Sequence, residues 1–543
     1  SEAAIQETFG RYLDFYLEQT NMYPARREKV SLSGVLRMTD ENGRWLEEEI
    51  ADYMKYRVPE LFASGSGLLK EAEQVKKAGD FRNLYDSCRK SGRAVRRLEK
   101  AAREVENSLL EMETCKNRFS NAASDESASA LKRSAREFQD FPKLVEQFEQ
   151  EIRRLEKENE ESGFKTVEDE TAAETLGQEI SACGEVIKSA KERLQRYREA
   201  ETQGERNLEL LEEACGYLEM EPDTDEEDDV DWDAISQCAD EMEIPESENS
   251  GPKDAKKVAA LERLEELFDK ELFEQLLPAG TEVSGRAVSL NGIPSAGKHE
   301  TGSENTGSGA MGILETAEKE LLVSKYIPLY FGSFTDGTGE ADAALDYEME
   351  YLLSGKKSDR ENLKEAVNKV LMLRGSMNLL YLLNSPDKKA EAEALAAAVT
   401  AGIIPAQMAV SFLILTLWAF GEAVLDVKTL LAGGRVSFWK TDATWKTGLS
   451  GLLDQSLLGE TAESGQDGRN YTEYLSCMMF FMDRGVRNFR MMDLIQWNIR
   501  MGQADFSVAS CAYQIEIEAE VMQKHMFFQK EEYRGTVHAA GSY

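Results

Sequence analysis

Residues 81–112 read FRNLYDSCRKSGRAVRRLEKAAREVENSLLEM. Apolar side chains fall at Phe81, Leu84, Cys88, Val95, Leu98, Ala102, Val105, Leu109 and Met112, in alternating steps of three and four interrupted only by Ser91. Such spacing returns to one side of a helix, so the stretch is a heptad seam that partner helices must cover. Two further seams follow. The first runs Phe141, Val145, Phe148, Ile152 and Leu155, and Pro142 at its start suits a first helical position. The second runs Leu176, Ile180, Cys183, Ile187, Ala190, Leu194 and Tyr197, then Leu208, Leu211, Cys215 and Leu218. Glu201 and Gly204 interrupt it, which leads us to expect a kink or a splayed turn there. Short breakers at 120–125 and 161–164 make successive helices antiparallel neighbours. The expectation is a three-helix antiparallel coiled-coil arm over 66–220, with roughly 40 residues per helix and a reach of about 60 Å.

Either side of the arm the pattern changes. Residues 1–65 open on an amphipathic helix (Ile5, Phe9, Tyr12, Leu13, Tyr16) and begin the globular part. Residues 221–251 form an acidic linker whose adjacent like charges prevent packing. In 252–311 we expect a helix from about Lys253 to Leu277, a strand around Glu282 to Leu290, and a flexible Gly/Ser-rich loop over 292–312. Residues 312–543 are a further domain, helical from Leu345 to a stop at Gly355. Ser358 and Glu361 have capping-box spacing, and helices then continue through Leu383, Thr400 and Leu431, closing at Gly433-Gly434. Asn470 to Met501 reads as one long helix. From Phe506 the period becomes two, with Ala509, Cys511, Tyr513, Ile515, Ile517, Ala519 and Val521 on one face, a half-buried strand paired with another near the C-terminus. The fold class is therefore α+β, mainly α: the arm plus a helical C-terminal domain with a small antiparallel sheet.

Charge and composition exclude several functions. With 64 Lys+Arg against 101 Asp+Glu the net charge is −37, which repels nucleic-acid phosphates, so no nucleic-acid partner is expected. Seven cysteines, at 88, 115, 183, 215, 238, 477 and 511, show neither a CxxC pair nor a regular framework. Only His299, His525 and His538 could supply imidazole chemistry, and none has a partner at metal-ligand spacing. From Ala394 to Gly421 no charge occurs, but Gly402 and Pro405 divide the stretch and no Lys/Arg-rich flank follows, so a buried helix is expected rather than a membrane span.

Four motifs invite chemistry. Gly292 to Lys298 has Walker A glycine spacing, yet His299 replaces the magnesium-ligating hydroxyl and no helix follows, so a loop is the better reading. Asp229, Asp231, Asp233 and Asp240 imitate a calcium loop in which Ala234 replaces the turn glycine; loose cation association is expected there, without a defined site. Glu422 and Asp426, four apart beside Trp418, have the spacing of paired carboxylates for acid–base work, but the plainer reading places them on the polar side of a buried helix. Trp439 and Trp445, around Lys440 and Lys446, read as packing or interface aromatics. No catalytic, cofactor-binding or metal-ligating residue is assigned.

The segments Leu345–Lys356, Leu417–Val427, Leu430–Gly434 and Asp493–Arg500 resemble an uncharacterised domain family of Gram-positive anaerobes associated with the tight-adherence (Tad) pilus and secretion apparatus. The likeness covers about residues 310–543. It implies an extracytoplasmic chain at the cell surface, anchored by an N-terminal transmembrane helix absent from this chain. It also implies protein partners, pilus or secretion-system subunits, and membrane contact through that helix alone. The resulting expectation is a non-enzymatic, pseudopilin-like structural or assembly component. The alternatives are a membrane-anchored hydrolase or sensor using the carboxylates near Trp418, and a cytoplasmic helical scaffold.

Overall fold

A computed structural model of the chain describes residues 2–20, 25–57, 65–121, 125–165, 167–219, 231–248, 254–269, 272–297, 310–336, 343–400, 405–453, 468–480, 482–524 and 532–542. In chain order the helices are α1 (Glu2–Thr20), α2 (Arg44–Arg57), α3 (Gly65–Asn121), α4 (Asp125–Gly163), α5 (Glu170–Glu219), α6 (Trp232–Glu241), α7 (Ala255–Asp269), α8 (Phe273–Leu276), α9 (Ala310–Tyr330), α10 (Glu348–Ser354), α11 (Asp359–Leu383), α12 (Pro386–Val399), α13 (Gln407–Leu431), α14 (Leu449–Leu453), α15 (Tyr471–Met479) and α16 (Arg484–Gly502). The strands are β1 (Ala25–Arg37), β2 (Ala512–Lys524) and β3 (Glu532–Ser542), so the fold is mainly α with a small antiparallel sheet. Packing groups the chain differently from the five sequence segments. Unit one comprises residues 1–69, 280–367 and 470–543; unit two comprises 70–279 and 368–469, and α11 begins in the first and ends in the second.

Unit two contains the seams. Every seam position on α3 from Phe81 to Met112 is buried, Ser91 included. The connections reverse the chain as expected: Arg133 pairs with Glu111 across α3 and α4, and Lys191 with Glu156 across α4 and α5. Three details correct the sequence reading. Pro142 lies inside α4, which starts at Asp125. Helix α5 is unbroken at Glu201 and Gly204, where Gly204 sits beside Phe138 of α4. The stripe α5 buries also lies partly one residue earlier than read, at Glu179, Val186, Asn207 and Ala214 rather than Ile180, Ile187, Leu208 and Cys215, because Ser87 engages Glu179 and the backbone of Glu243 engages Asn207. Nor is the three-helix group a free-standing arm, since α5 packs against α6 and α13 and α3 meets α13 at Gly92, where a Cβ would lie 2.6 Å from Leu413 Cβ.

Helix α13 is the centre of this unit and is buried from Ala409 through Val427. It is the one helix among the described residues that is long and apolar enough to cross a bilayer, and 89% of its most apolar window is covered by protein. The break before it falls between Val399 and Gln407, around Pro405.

In unit one the sheet order is β1-β2-β3 and both pairings are antiparallel, with Val30 opposite Ala519 and Ala519 opposite Val537. The β2–β3 pairing matches expectation, whereas β1 was not read from the sequence. Helix α1 packs against β1. Trp45 of α2 stacks on Tyr513 of β2 at 4.5 Å, and Arg487 of α16, fully buried, joins Glu320 of α9 to Glu47 of α2. Around 282–290 there is no strand but a single bridge, Ala287 to Ser358. The long helix expected over 470–501 is two, because Asp483 caps a new start by accepting from Val486 N at 2.9 Å.

Candidate functional site

The buried carboxylates of α13 assemble a site within unit two. An apolar helix cannot carry two charges into a core without partners. Glu422 and Asp426 lie one turn apart, and Lys440 Nζ bridges them at 2.5 and 2.7 Å while also donating to Thr444 O. Arg374, one turn before Asn378 on α11, donates through Nε and Nη2 to Asp426 Oδ2 at 3.0 and 2.8 Å. Its Nη1 donates to the carbonyls of Ser437 and Phe438, and Asn378 Nδ2 donates to the same Asp426 oxygen at 3.1 Å. Glu422 accepts the backbone N–H groups of Lys446 and Thr447. All four ionic side chains are at most 4% exposed. Two cations offset two carboxylates. Burial pushes the Asp426 carboxyl up, but Arg374 and then Lys440 outweigh it and leave the group below the usual range. Lys440 directs its donors into both carboxylates and a carbonyl, so the constellation fastens the loop after α13 to α11 and α13.

Beside this network stands a group of rings. Trp445 stacks on Tyr381 at 4.8 Å and 26°, and Trp418 meets Trp445 edge-on at 6.0 Å and 80°. The ammonium of Lys388, from the first turn of α12, lies 5.0 Å from the Trp418 ring centroid, 5.2 Å from that of Trp445 and 5.9 Å from that of Tyr381. Trp439 is not part of it and packs edge-on against Phe438. The side chain of Lys446 is exposed.

Within unit one, the segments that carry the resemblance pack on each other. Tyr351 donates to Asp493 Oδ2 at 2.7 Å and meets Trp497 edge-on, and Asn498 donates to Glu348 Oε1 at 2.7 Å. Gly355 stops α10 with φ +65°, a conformation suited to glycine, under the Arg490 guanidinium. Burial raises the carboxyls of Asp493 and Asp359 and pushes Glu350 up to about 8. Glu350 accepts from Phe334 N at 3.0 Å, with the Tyr471 phenol beside it.

The Walker-like loop is bound to this same core. Ser295 N donates to Asp493 Oδ1 at 3.0 Å and Gln496 Nε2 to Gly292 O at 3.1 Å, so residues 292–297 are pinned rather than flexible, and the Ser295 amide serves a carboxylate instead of a phosphate. Lys298 and His299 lie outside the described residues. Of the calcium-like aspartates, Asp231 caps α6 by accepting from Ala234 N at 3.0 Å, while Asp229 and the rest of 221–230 lie outside the described residues. Residues 231–248 are not the unpacked linker expected, because Ile235, Cys238 and Ala239 bury α6 against α5.

Sequence reasoning thus found Trp418, Glu422, Asp426, Lys440 and Trp445, which the fold brings together, and missed Arg374, Asn378, Tyr381 and Lys388. A signal for the first two was present, since Arg374 and Asn378 stand one turn apart in the largely apolar C-terminal half of α11. Residues 250–523, half of the chain, match the model of a family described as a family of unknown function (DUF5702). No curated protein and no solved structure matches it.

Proposed function

The chain belongs to the DUF5702 family, and from that premise we propose that it is a non-enzymatic, pseudopilin-like structural or assembly component of a Tad-type pilus or secretion system, facing outward at the cell surface. The observation that carries the reading is the N-terminal module of unit one. Helix α1 leads into β1 and lies against it, held by Arg27, which donates to both oxygens of Asp14 at 3.0 and 2.8 Å. A helix running into an antiparallel sheet that packs on it is the arrangement of pilin-like proteins. Along α1, Tyr12, Phe15 and Tyr16 are exposed, a surface suited to protein partners. The commitment of Glu422 and Asp426 to Lys440, Arg374 and backbone amides favours a structural role over hydrolysis.

The test is made in cells that produce the full-length protein. Protease added to intact cells is expected to remove the chain while a cytosolic marker survives, and a photo-crosslinking residue at Tyr12 is expected to capture a pilus or secretion subunit identified by mass spectrometry. A chain protected until lysis and recovered with the cytosol overturns the proposal.

A further inference from the structure

The rings around Lys388 are a site of their own, independent of the assembly reading. We propose that Tyr381, Trp418 and Trp445 form a binding site for a small quaternary ammonium ion, and that Lys388 is its tethered, displaceable occupant. Three features of the structure carry this. First, the walls are fixed without help from the lysine. Trp418 Nε1 donates to Thr447 O and Oγ1, both at 3.1 Å, Trp445 Nε1 donates to the same carbonyl at 2.6 Å, and the Tyr381 hydroxyl donates to Asp442. Hydrogen bonding to a carboxylate also makes the phenol ring richer in electrons, which strengthens its attraction for a cation.

Second, the acceptors beside the rings, Asp442 and Thr447 O, are engaged by the ring hydroxyl and indole N–H groups, so what Lys388 meets is ring faces. Among the described residues no carboxylate pairs with Lys388, and the nearby Glu422 is already committed to Lys440 and to two backbone amides. What holds the ammonium here is attraction to ring faces rather than a counter-ion. A quaternary ammonium has no N–H to satisfy and needs only such faces, so it can take the place of the lysine and keep the cation–π attraction. Third, Lys388 is half-buried and stands in the first turn of α12, so its stem can swing to solvent without unpacking a core position. The net charge of −37 adds a general attraction for cations.

The experiment titrates the full chain with tetramethylammonium chloride against sodium chloride of equal ionic strength. In the wild type the ε-methylene of Lys388 is expected to be shielded by the rings and to move to its free position as tetramethylammonium rises. Lys388→Ala is expected to bind the ion saturably, read by tryptophan fluorescence, about tenfold more tightly than the wild type. Trp445→Leu in the Lys388→Ala background is expected to remove that binding. Choline in solution and phosphatidylcholine vesicles then tell a free ion from a lipid headgroup. A folded Lys388→Ala chain without saturable binding overturns the proposal. Should that variant not fold, a wild-type lysine signal that tetramethylammonium leaves unmoved overturns it equally.

Discussion

The α3–α4–α5 seam and the ion network on α13 lie in the same unit and are about equally buried, yet they are specified by opposite rules. Along the seam each position repeats a neighbour's task, so stability is spread over many similar contacts and one loss is local. In the network the partners are individual and shared: Asp426 serves Arg374, Asn378 and Lys440 at once, and removing it takes away the carboxylate common to two cations that are at most 4% exposed, leaving Lys440 with Glu422. The seam makes a helix bundle; the network fixes which loop closes over it. Loss of a shared ion partner should therefore be the most damaging single change. Asp426→Ala is expected to cost about 3–5 kcal/mol in urea unfolding, with Asp426→Asn less affected because it keeps acceptor and donor shape. A cost for Asp426→Ala below that of a seam leucine would break the comparison.

Buried carboxylates without a cation sharpen it through pH. Asp426, held below the usual range by Arg374 and Lys440, contributes stability that is present above its unfolded pKa and lost as pH falls. Glu350 has the opposite sign. Burial pushes it up to about 8 from 4.5, so its contribution is complete below 4.5 and is lost as pH rises through 8. The loss is expected to run at up to about 1.4 kcal/mol per pH unit across that window. Glu350→Gln, whose amide can donate as the neutral acid does, should flatten the decline when urea midpoints at pH 5 and 7.5 are compared. A wild type equally stable at both values, with Asp426 intact, would place the ionised carboxylate comfortably in that core.

Seam substitutions come next in size and should grade with burial. Leu98→Ala, at a fully buried position, is expected to cost about 2–3 kcal/mol, and Leu194→Ala, half-buried on α5, less than about 1 kcal/mol. Equal costs at the two positions would mean that α5 packs as its heptad spelling suggests.

What could be read beforehand follows the same division. Local periodicity made α3 legible to the residue, together with the caps at Gly355, Ser358 and Gly433. It misplaced part of the α5 stripe because Glu179 and Asn207 are buried by hydrogen bonds that begin on other elements. Strand β1 escaped because register shifts at Arg27/Lys29 and Leu32/Gly34 break the alternation of period two that reveals a strand. Glu422 and Asp426 were visible as a spacing on one helix. Arg374, Asn378 and Lys388 reach the site from other elements, and no pattern along the chain records where α11 and α12 meet α13.

The smallest effect concerns a residue where local pattern pointed to two things at once. Asp231 belongs both to a run of alternate aspartates and to the start of α6, and its carboxylate accepts from Ala234 N at 3.0 Å. A cap satisfies one otherwise unpaired amide of the first turn, and its loss costs about 1 kcal/mol. Helix α6 packs on α5 through buried Ile235, Cys238 and Ala239, so that cost should appear as easier melting of the contact. Asp231→Ala is expected to lower thermal stability by this amount, and Asp231→Ser, which keeps a capping oxygen, by little. Neither change should depend on calcium, because a cap needs one acceptor near one amide whereas a calcium site needs six or more oxygens at once. Melting of the wild type that rises with millimolar calcium, and stops rising in Asp231→Ser, would return the aspartates to the tertiary side of the comparison.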